Sequence, residues 1–463
     1  MKSGAYPVAI IGFMWNTGRD GKFAHVRSGA IFSIDRTKSL PLRQGRDAPL
    51  ERPLPGRYRV LDAIRRHGPI SRVEIAERSG LSRSAVTAVT RDLLADSWIV
   101  ELPEAGGAAP ARGRPRIMLA MNPGAAHVIG VKLSLHQMNV AVTDFRGDVL
   151  HAVALPFNGS QPPDIVTDLI ELGVRRCLEE AGLSPQRVLG LCVAIPGYIN
   201  HVEGLCYWSP VFDRNDVAFG ALLAERLPFE TAIENDANMV TLAEHWFGEG
   251  RDLSNFAVVT VEHGVGMGLV THDRLYRGAA GIGPEFGHAK VAFDGRPCRC
   301  GQHGCVEAYA SDYAILREVL PHFRLESYID DPRAWYPEIA RITDEARAGN
   351  NAIRAVFAEA GRVLGRAIGN LVATLNPPAI IVTGDGLRAG EMMFAPMQAE
   401  IARLQLPGNK VDTEIILHGW GDDVWARGAA ALVLQEAYAR PDGDPAQPQP
   451  VAGAALLGAT PLG

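Results

Sequence analysis

The sequence predicts an α/β protein with a small helical module in front of it. From Ala126 onward, short strand-like runs such as VLGLCVAI and FAVVTV alternate with longer amphipathic stretches, a pattern typical of α/β domains. Ahead of them, helical patterns follow one another between residues 58 and 96. At 463 residues, the chain is long enough for roughly three structural units.

Charge divides the chain near the same place. Residues 1–120 hold 20 basic and 11 acidic side chains, whereas the remaining residues hold 26 and 41. A basic part next to an acidic one suggests a module for a polyanion joined to a module for another ligand. The apolar run Pro7–Trp15 is too short to span a bilayer, and no A-x-A type cleavage site follows it. We expect a cytoplasmic protein without membrane contact.

The two ends of the chain lack the pattern of a folded domain. Residues 1–53 have no sustained periodicity and end in a segment rich in proline and arginine. We interpret them as a flexible N-terminal extension and assign them no function. Residues 438–463 are rich in proline, alanine and glycine, which predicts a disordered tail.

Helix signals define a module over residues 54–122. Apolar residues recur at helical spacing from Tyr58. Ser71 and Glu74 have the spacing of a capping box at the start of a second helix, and Gly80 stands where a helix C-terminus favours glycine. These signals predict the first two helices of a helix-turn-helix.

A third helix is predicted after Ser82, which is placed to cap it. Its apolar positions form one stripe, and the residues that face away from this stripe are Arg83, Ser84, Thr87 and Arg91. Two strand-like runs, SWIVEL and RIMLAM, then enclose a basic tip with Arg112 and Arg114, which predicts a wing. The pattern favours a winged helix-turn-helix for DNA binding, with a small helical packing module as the alternative.

Half of the cysteines lie close together in a glycine-rich stretch. Cys298, Cys300 and Cys305, with His288, supply three thiols and one imidazole, which is the ligand set of a closed structural zinc site. In a cytosolic protein such a cluster is more often metal-binding than disulfide-bonded. His303 could compete with His288 as the imidazole ligand, although it falls inside the tight loop between two of the cysteines.

The residues around this cluster resemble the signature of the ROK family of repressors, open reading frames and sugar kinases. The resemblance extends from about Tyr58 to Leu434 and rests on EFGH with CRCGQHGCVE, and on IENDAN, LYRGAAGIGPEFGH and NPPAIIVTGDG. It implies a two-lobed, actin-like (ribonuclease-H-like) sugar-kinase fold for residues 125–437, with the zinc motif at 288–305. The layout is similar to that of the family's transcriptional regulators of the xylose and N-acetylglucosamine repressor type.

The resemblance also implies a sugar-binding set. Carried over position by position, it falls on Asn235, Asp236, Glu285, His288 and Glu307. Carboxylates accept hydrogen bonds from vicinal hydroxyls, an amide donates and accepts, and a zinc-bound histidine can donate from its second nitrogen. The zinc would then be structural, because it fixes the segment that carries the ligand contacts. Asp236 by itself could equally be a helix N-cap.

Both phosphate loops of the family's kinases are altered in this sequence. The first, Asp-x-Gly-Gly-Thr, is replaced at its key positions by Lys132, Ser134, Leu135 and His136. In the second, Gly-Thr-Gly-x-Gly, Glu262 and His263 stand where a small residue and a hydroxyl belong, and a carboxylate repels a triphosphate. We therefore expect no enzyme activity, with Asp236 left at the former base position.

The sequence thus favours a sugar-responsive repressor of carbohydrate-metabolism genes, a homodimer or dimer of dimers that a sugar releases from operator DNA. Arg83, Ser84 and Thr87 would lie near base edges and Arg91 near phosphate. Arg112 and Arg114 would reach the minor groove. The alternatives are an ATP-dependent hexose kinase with an accessory DNA-binding domain, and a regulator controlled by a protein partner.

Overall fold

The computed structural model describes residues 55–102, 117–330, 332–405, 412–421 and 423–439. The predicted N-terminal extension, 1–53, lies outside the described residues, and so do Arg112 and Arg114 of the predicted wing tip. The described residues belong to one compact unit, Leu54–Gly463.

The N-terminal module folds as a winged helix-turn-helix. Its elements in chain order are α1 (Gly56–His67), β1 (Ile70–Ser71), α2 (Arg72–Ser79), α3 (Arg83–Ala95), β2 (Ile99–Leu102) and β3 (Met118–Met121). The three strands form an antiparallel sheet in the order β1-β3-β2. Strand β1 is absent from the sequence-based prediction because two residues are too few to show an alternating pattern.

The predicted capping residues take the expected positions. Ser71 Oγ accepts a hydrogen bond from the Glu74 amide, and the Glu74 carboxylate accepts one from the Ser71 amide at 3.0 Å, which completes the capping box. Gly80 ends α2 with a φ of 64°, a left-handed conformation that glycine adopts without strain. Ser82 Oγ accepts from the Ala85 amide at 3.2 Å and starts α3.

The first lobe of the α/β body has a five-stranded sheet in the order β10-β7-β4-β5-β6. The elements of this part are β4 (His127–Leu133), β5 (Gln137–Thr143), β6 (Val149–Pro156), α4 (Pro163–Ala181), β7 (Val188–Ile195), β8 (Tyr198–Asn200), β9 (Leu205–Trp208), α5 (Phe219–Arg226), β10 (Glu230–Asn235) and α6 (Asp236–Phe247). Strands β8 and β9 form a separate antiparallel ribbon.

The second lobe has a five-stranded sheet in the order β13-β12-β11-β14-β15. Its elements and the C-terminal helix are β11 (Phe256–Val261), β12 (Val265–Thr271), β13 (Arg274–Leu275), α7 (Glu307–Ala310), α8 (Asp312–Val319), α9 (Leu325–Asp330), α10 (Tyr336–Arg347), α11 (Asn351–Leu375), β14 (Ala379–Thr383), α12 (Glu391–Leu404), β15 (Glu414–Leu417) and α13 (Val424–Ala439).

Both lobes repeat one topology, in which three antiparallel strands are extended by two parallel ones. This duplicated arrangement is the predicted actin-like fold of sugar kinases. Helix α13 packs against α6 and β4, so the C-terminal helix belongs to the first lobe. It continues to Ala439, past the predicted start of the tail, and Tyr438 is buried within it.

The winged module packs directly on the first lobe. Rings of Trp98 in the module and Phe145 in the lobe lie 5.0 Å apart inside a shared hydrophobic core. The guanidinium of Arg65 on α1 lies 4.1 Å from the ring centre of Trp246 and donates to its carbonyl oxygen at 2.7 Å. None of the helices in the described ranges is both long and apolar enough to cross a bilayer.

Candidate functional site

The clustered cysteines and one histidine converge in the second lobe. The ligand atoms of His288, Cys298, Cys300 and Cys305 all lie within 4.8 Å of one another. Cys300 Sγ and Cys305 Sγ are 3.8 Å apart, far beyond the length of a disulfide. A tetrahedral ion with bonds of about 2.3 Å to sulfur separates two sulfurs by about 3.8 Å, so these side chains fit such an ion.

His288, and not His303, is the histidine of the cluster. Its Nδ1 lies 3.7 Å from Cys298 Sγ, whereas His303 is exposed and outside the group. Burial raises the pKa of Cys298, but the His288 imidazole, the Cys300 backbone and the Tyr313 hydroxyl outweigh it and lower the pKa to about 7. A thiol with a lowered pKa is readily ionised, and the thiolate is the form that binds metal.

The sugar-binding set predicted from the family resemblance lines one cavity between the lobes. Its volume is about 1280 Å³, and its walls include Asn235, Asp236, Glu285, His288 and Glu307. Burial raises the pKa of Glu285, His288 opposes this, and the nearby carboxylates of Asp236 and Glu307 raise it further. Because Nδ1 of His288 faces the thiols, Nε2 is the ring atom available to a ligand. The arrangement offers several acceptors and a donor for hydroxyl groups.

The residue that caps α6 is Asn235, so the reading of Asp236 as the N-cap is wrong. Asn235 Oδ1 accepts from the amides of Ala237 at 2.9 Å and Asn238 at 3.3 Å, while Nδ2 donates to the Gly197 carbonyl at 3.0 Å. Asp236 is the first helical residue, where the helix dipole favours a negative charge. Its carboxylate accepts only from the Ala237 amide among the described residues.

Arg299 is a site residue that the sequence-based prediction missed. It lies between two of the clustered cysteines, lines the cavity, and donates to Glu307 from Nε at 2.7 Å and from Nη2 at 3.0 Å. The amide of Val265 also donates to Glu307, at 3.2 Å. Position 264 requires glycine, because a Cβ there would lie only 2.6 Å from Glu307 Oε2. A glycine retained from the phosphate loop thus makes room for the Arg299–Glu307 pair.

The first altered phosphate loop forms a closed turn between β4 and β5. The Ser134 amide donates to the Gln137 carbonyl at 2.9 Å, and the Gln137 amide donates back to Ser134 Oγ at 3.1 Å. The Leu135 carbonyl accepts from the Gly159 amide at 2.8 Å. Bonds within the protein therefore occupy the amides of Ser134 and Gln137, which are donors of the kind that an anion-binding turn directs toward phosphate.

The second altered loop is filled by an imidazole among tyrosines. The ring of His263 stacks on Tyr336 with centres 5.0 Å apart, and its Nδ1 lies 2.8 Å from the Tyr328 hydroxyl. Burial, followed by the charges of Arg299 and other cations, lowers the pKa of His263 to about 3, so the ring is neutral at physiological pH. Burial also raises the pKa of Glu262, although Lys132 opposes it. A buried carboxyl group and a neutral ring held by tyrosines thus stand where a phosphate loop has a small residue and a hydroxyl group.

The polar face predicted on the third helix of the module is open to solvent. Arg83, Ser84, Thr87 and Arg91 are all exposed on α3, and the opposite face is held by fully buried Val86 and Leu93. Thr87 Oγ1 donates to the Arg83 carbonyl at 2.8 Å, and Arg91 forms an exposed ion pair with Asp92. The helix therefore presents donors and acceptors of the kind that read the major groove.

Comparison with known protein families agrees with this geometry. The ROK family model matches residues 128–436, more than half of the chain. The chain belongs to the ROK family. A winged helix-turn-helix DNA-binding model matches residues 57–100, which cover the three helices and the start of the wing.

Two transcriptional regulators are similar to this chain over most of their length. The xylose repressor of Bacillus spizizenii is 25% identical over 380 residues, which cover 81% of this chain and 94% of the relative. The DNA-binding transcriptional dual regulator NagC of Escherichia coli is 27% identical over 384 residues, covering 81% and 90%.

Solved ROK structures have the same fold. A ROK family transcriptional regulator, a homologue of the E. coli Mlc protein, superposes with a TM-score of 0.69 at 24% identity, covering 83% of this chain and 96% of the other. A ROK family glucokinase from Streptomyces griseus, solved with glucose and AMPPNP, gives 0.56 at 25% identity and covers 66% and 99%. The regulator therefore matches a larger share of this chain than the glucokinase does.

Proposed function

We propose that this ROK protein is a transcriptional repressor that a sugar releases from its operator. The observation that carries the proposal is the exposed polar face of α3, on a module that packs on the first lobe of a sugar-kinase fold whose phosphate loops are closed. The similarity to repressors named for xylose and N-acetylglucosamine supports carbohydrate-metabolism genes as the targets. The protein would act in the cytoplasm, where operator and sugar are both accessible.

The sugar is proposed to bind through Asn235, Asp236, Glu285, His288 and Glu307. Asp236 and Glu285 have the most acceptor capacity left, because Glu307 already accepts three hydrogen bonds from nitrogen donors and Asn235 caps α6. Zinc on His288, Cys298, Cys300 and Cys305 would have a structural role. It would hold the His288 ring so that Nε2 can meet a hydroxyl, and it would fix the loop that carries Arg299.

DNA recognition is assigned to residues 54–122, with the sugar-binding domain at 125–437. Arg83, Ser84 and Thr87 are proposed to approach base edges, with Arg91 on a phosphate and Arg112 and Arg114 in the minor groove. A homodimer, or a dimer of such dimers, would present two α3 helices to a palindromic operator.

Helix α6 is proposed to link the two functions. It begins at Asp236 in the cavity and ends at Phe247, next to the winged module. Near that end the Trp246 carbonyl accepts from Arg65. A sugar that closes the lobes around Asp236 would move α6 with one of them, and α1 would follow. In a dimer, this motion would change the spacing between the two α3 helices.

A gel-shift assay on the DNA that flanks the protein's own gene tests the proposal. The full-length protein should retard a specific fragment, and at least one sugar among glucose, xylose, N-acetylglucosamine and their disaccharides should reduce the retarded fraction. A protein that binds no flanking fragment more tightly than random DNA would contradict the repressor. Release by no sugar would instead favour control by a protein partner.

The second candidate is an ATP-dependent hexose kinase with an accessory DNA-binding domain. It is favoured by the retained carboxylate of Asp236 at the base position and by the similarity to the glucokinase. The closed turn at Ser134 and the tyrosine-bound His263 argue against it. Sugar-dependent hydrolysis of ATP distinguishes the two.

A further inference from the structure

An exposed tryptophan stands in the wall of the proposed sugar cavity. Trp208, the last residue of β9, exposes 46% of its surface, and its ring centre lies 5.6 Å from that of Tyr198. Both residues line the cavity of about 1280 Å³. Tryptophan is usually buried for most of its area, and an exposed aromatic face on the wall of a cavity marks a contact surface for a ligand.

The backbone fixes Trp208 close to the sugar-contacting residues. Asn235 Nδ2 donates to the Gly197 carbonyl at 3.0 Å. Gly197 has a φ of 126°, and the Trp208 carbonyl lies so close to it that a Cβ at this position would clash with the backbone. Glycine therefore allows residue 197 to lie against the Trp208 backbone, at the end of the β8–β9 ribbon. Asn235 and Trp208 therefore both contact Gly197.

A second cavity continues from the first at this tryptophan. It has a volume of about 600 Å³ and shares Leu135, His136, Trp208 and Pro210 with the larger one. Its outer wall includes exposed Asp213, Arg214 and Asn215. Within the described part of the chain, Asp213 and Arg214 have no ion-pair partner. The larger cavity alone exceeds the roughly 300–1,000 Å³ of sites for drug-sized ligands, so the combined space is much larger than one sugar ring needs.

We propose that Trp208 is the platform of a second saccharide subsite. The inference rests on the proposed sugar-binding function. One ring would occupy the set around Asp236 and Glu285, and a second, joined to it by a glycosidic bond, would stack its C–H face on the indole of Trp208. Hydroxyls at the rim of the second ring would meet Asp213, Arg214 and Asn215. The effector class is therefore a disaccharide or longer oligosaccharide.

The charge of the cavity favours a neutral second group over a phosphorylated one. The larger cavity is lined by more acids than cations: the acids are Asp236, Glu262, Glu285, Glu307, Asp385 and Asp423, and the cations are Lys132, Arg299 and Arg388. The charge of Glu285 also contributes to the raised pKa of Tyr198, after burial. Carboxylates repel a phosphate, whereas they accept hydrogen bonds from hydroxyls. A pyranose offers both an apolar face for Trp208 and hydroxyls for the acids.

Titration calorimetry on the full-length protein tests the subsite with matched pairs of sugars. The pairs are glucose with cellobiose and maltose, xylose with xylobiose, and N-acetylglucosamine with N,N′-diacetylchitobiose. At least one disaccharide should bind about tenfold more tightly than its monosaccharide. Trp208→Ala should remove most of that advantage and leave the monosaccharide affinity unchanged, while Trp208→Phe should retain most of it.

Phe293→Ala is the control, because Phe293 is a fully exposed aromatic outside both cavities, and it should change neither affinity. The subsite is overturned if no disaccharide binds more tightly than its monosaccharide, or if Trp208→Ala weakens both equally. The proposed function would stand in either case, provided that a monosaccharide binds and releases the operator. If neither member of any pair binds, the sugar-binding function fails and the subsite with it.

Discussion

Arg299 and Glu307 form a two-pronged hydrogen-bonded ion pair that joins the cysteine loop to the effector cavity. The distances are 2.7 Å from Nε to Oε1 and 3.0 Å from Nη2 to Oε2, and Glu307 is only 1% exposed. A buried carboxylate held by two parallel donors has one defined orientation. The loop that could hold a metal therefore also orients an acceptor of the proposed sugar site.

Replacing Arg299 by lysine should weaken sugar binding without loss of metal. Lysine keeps the charge but cannot donate two parallel hydrogen bonds, so Glu307 loses its fixed orientation. We expect the affinity for the effector to fall about tenfold, measured by titration calorimetry. Arg296→Lys is the matched control in the same loop, because Arg296 pairs with Glu318 instead. Equal affinities for Arg299→Lys and the wild type would refute the orienting role of Arg299.

Replacing Cys300 by serine should remove the metal. The wild type is expected to contain one zinc per chain, and the variant close to none, because a hydroxyl is a much poorer zinc ligand than a thiolate. Elemental analysis of the purified protein gives the ratio. Cys177→Ser, at a buried cysteine of the first lobe outside the cluster, should retain the zinc. A freshly purified wild type without zinc would show that the cluster is not a zinc site.

The protein should not phosphorylate sugars. The Ser134 turn is closed, and neutral His263 packs between tyrosines where a phosphate loop needs space. A coupled assay with ATP, magnesium and each hexose should give no sugar-stimulated turnover. A rate on the order of 1 per second or faster would be that of an ordinary enzyme and would contradict the regulator.

Arg83→Ala should weaken operator binding by roughly 1–3 kcal/mol if Arg83 reads a base, with a loss of preference at one operator position. Arg91→Ala should instead weaken binding to all sequences and reduce the salt dependence by about one phosphate contact. Fluorescence anisotropy at several salt concentrations measures both effects. Arg175→Ala is the control, because Arg175 lies on α4, outside the winged module, in an ion pair with Glu171. It should leave the operator affinity unchanged.

Much of the fold could be predicted because its signals are local. The capping box at Ser71 and the apolar run Val188–Ile195 each follow from a few neighbouring residues, and the structure confirms both. Strand β1 and the ribbon of β8 and β9 were not predicted, because short strands depend on partners that are distant in sequence.

The site was predicted less completely, since it depends on contacts across the chain. The cysteine motif and the family resemblance identified His288 and Glu307, but no local pattern marks Arg299, because its guanidinium donates to a residue eight positions further along the chain. Asn235 and Asp236 are adjacent, and both residue types cap helices, so the pattern alone could not say which one does. Trp208 had no local signal, because its significance lies in its exposure beside a cavity.

Sugar and operator should be coupled through the protein, and Asp236 tests this coupling. Asp236→Ala removes a carboxylate acceptor at the start of α6, so sugar binding should be lost. Operator binding should persist, because the residue lies far from α3 along the chain and outside the winged module. Asp168→Ala, at an exposed ion pair on α4, should behave as the wild type in both assays.

The most direct test is a titration of operator-bound protein with the effector sugar, for the wild type and for Asp236→Ala. We predict that the sugar lowers the operator affinity of the wild type, that the operator lowers its sugar affinity by the same factor, and that this coupling is roughly 1–3 kcal/mol. Asp236→Ala should bind the operator with wild-type affinity and remain bound at every sugar concentration. Release of Asp236→Ala at the wild-type sugar concentration would contradict the account, because the sugar would then bind elsewhere.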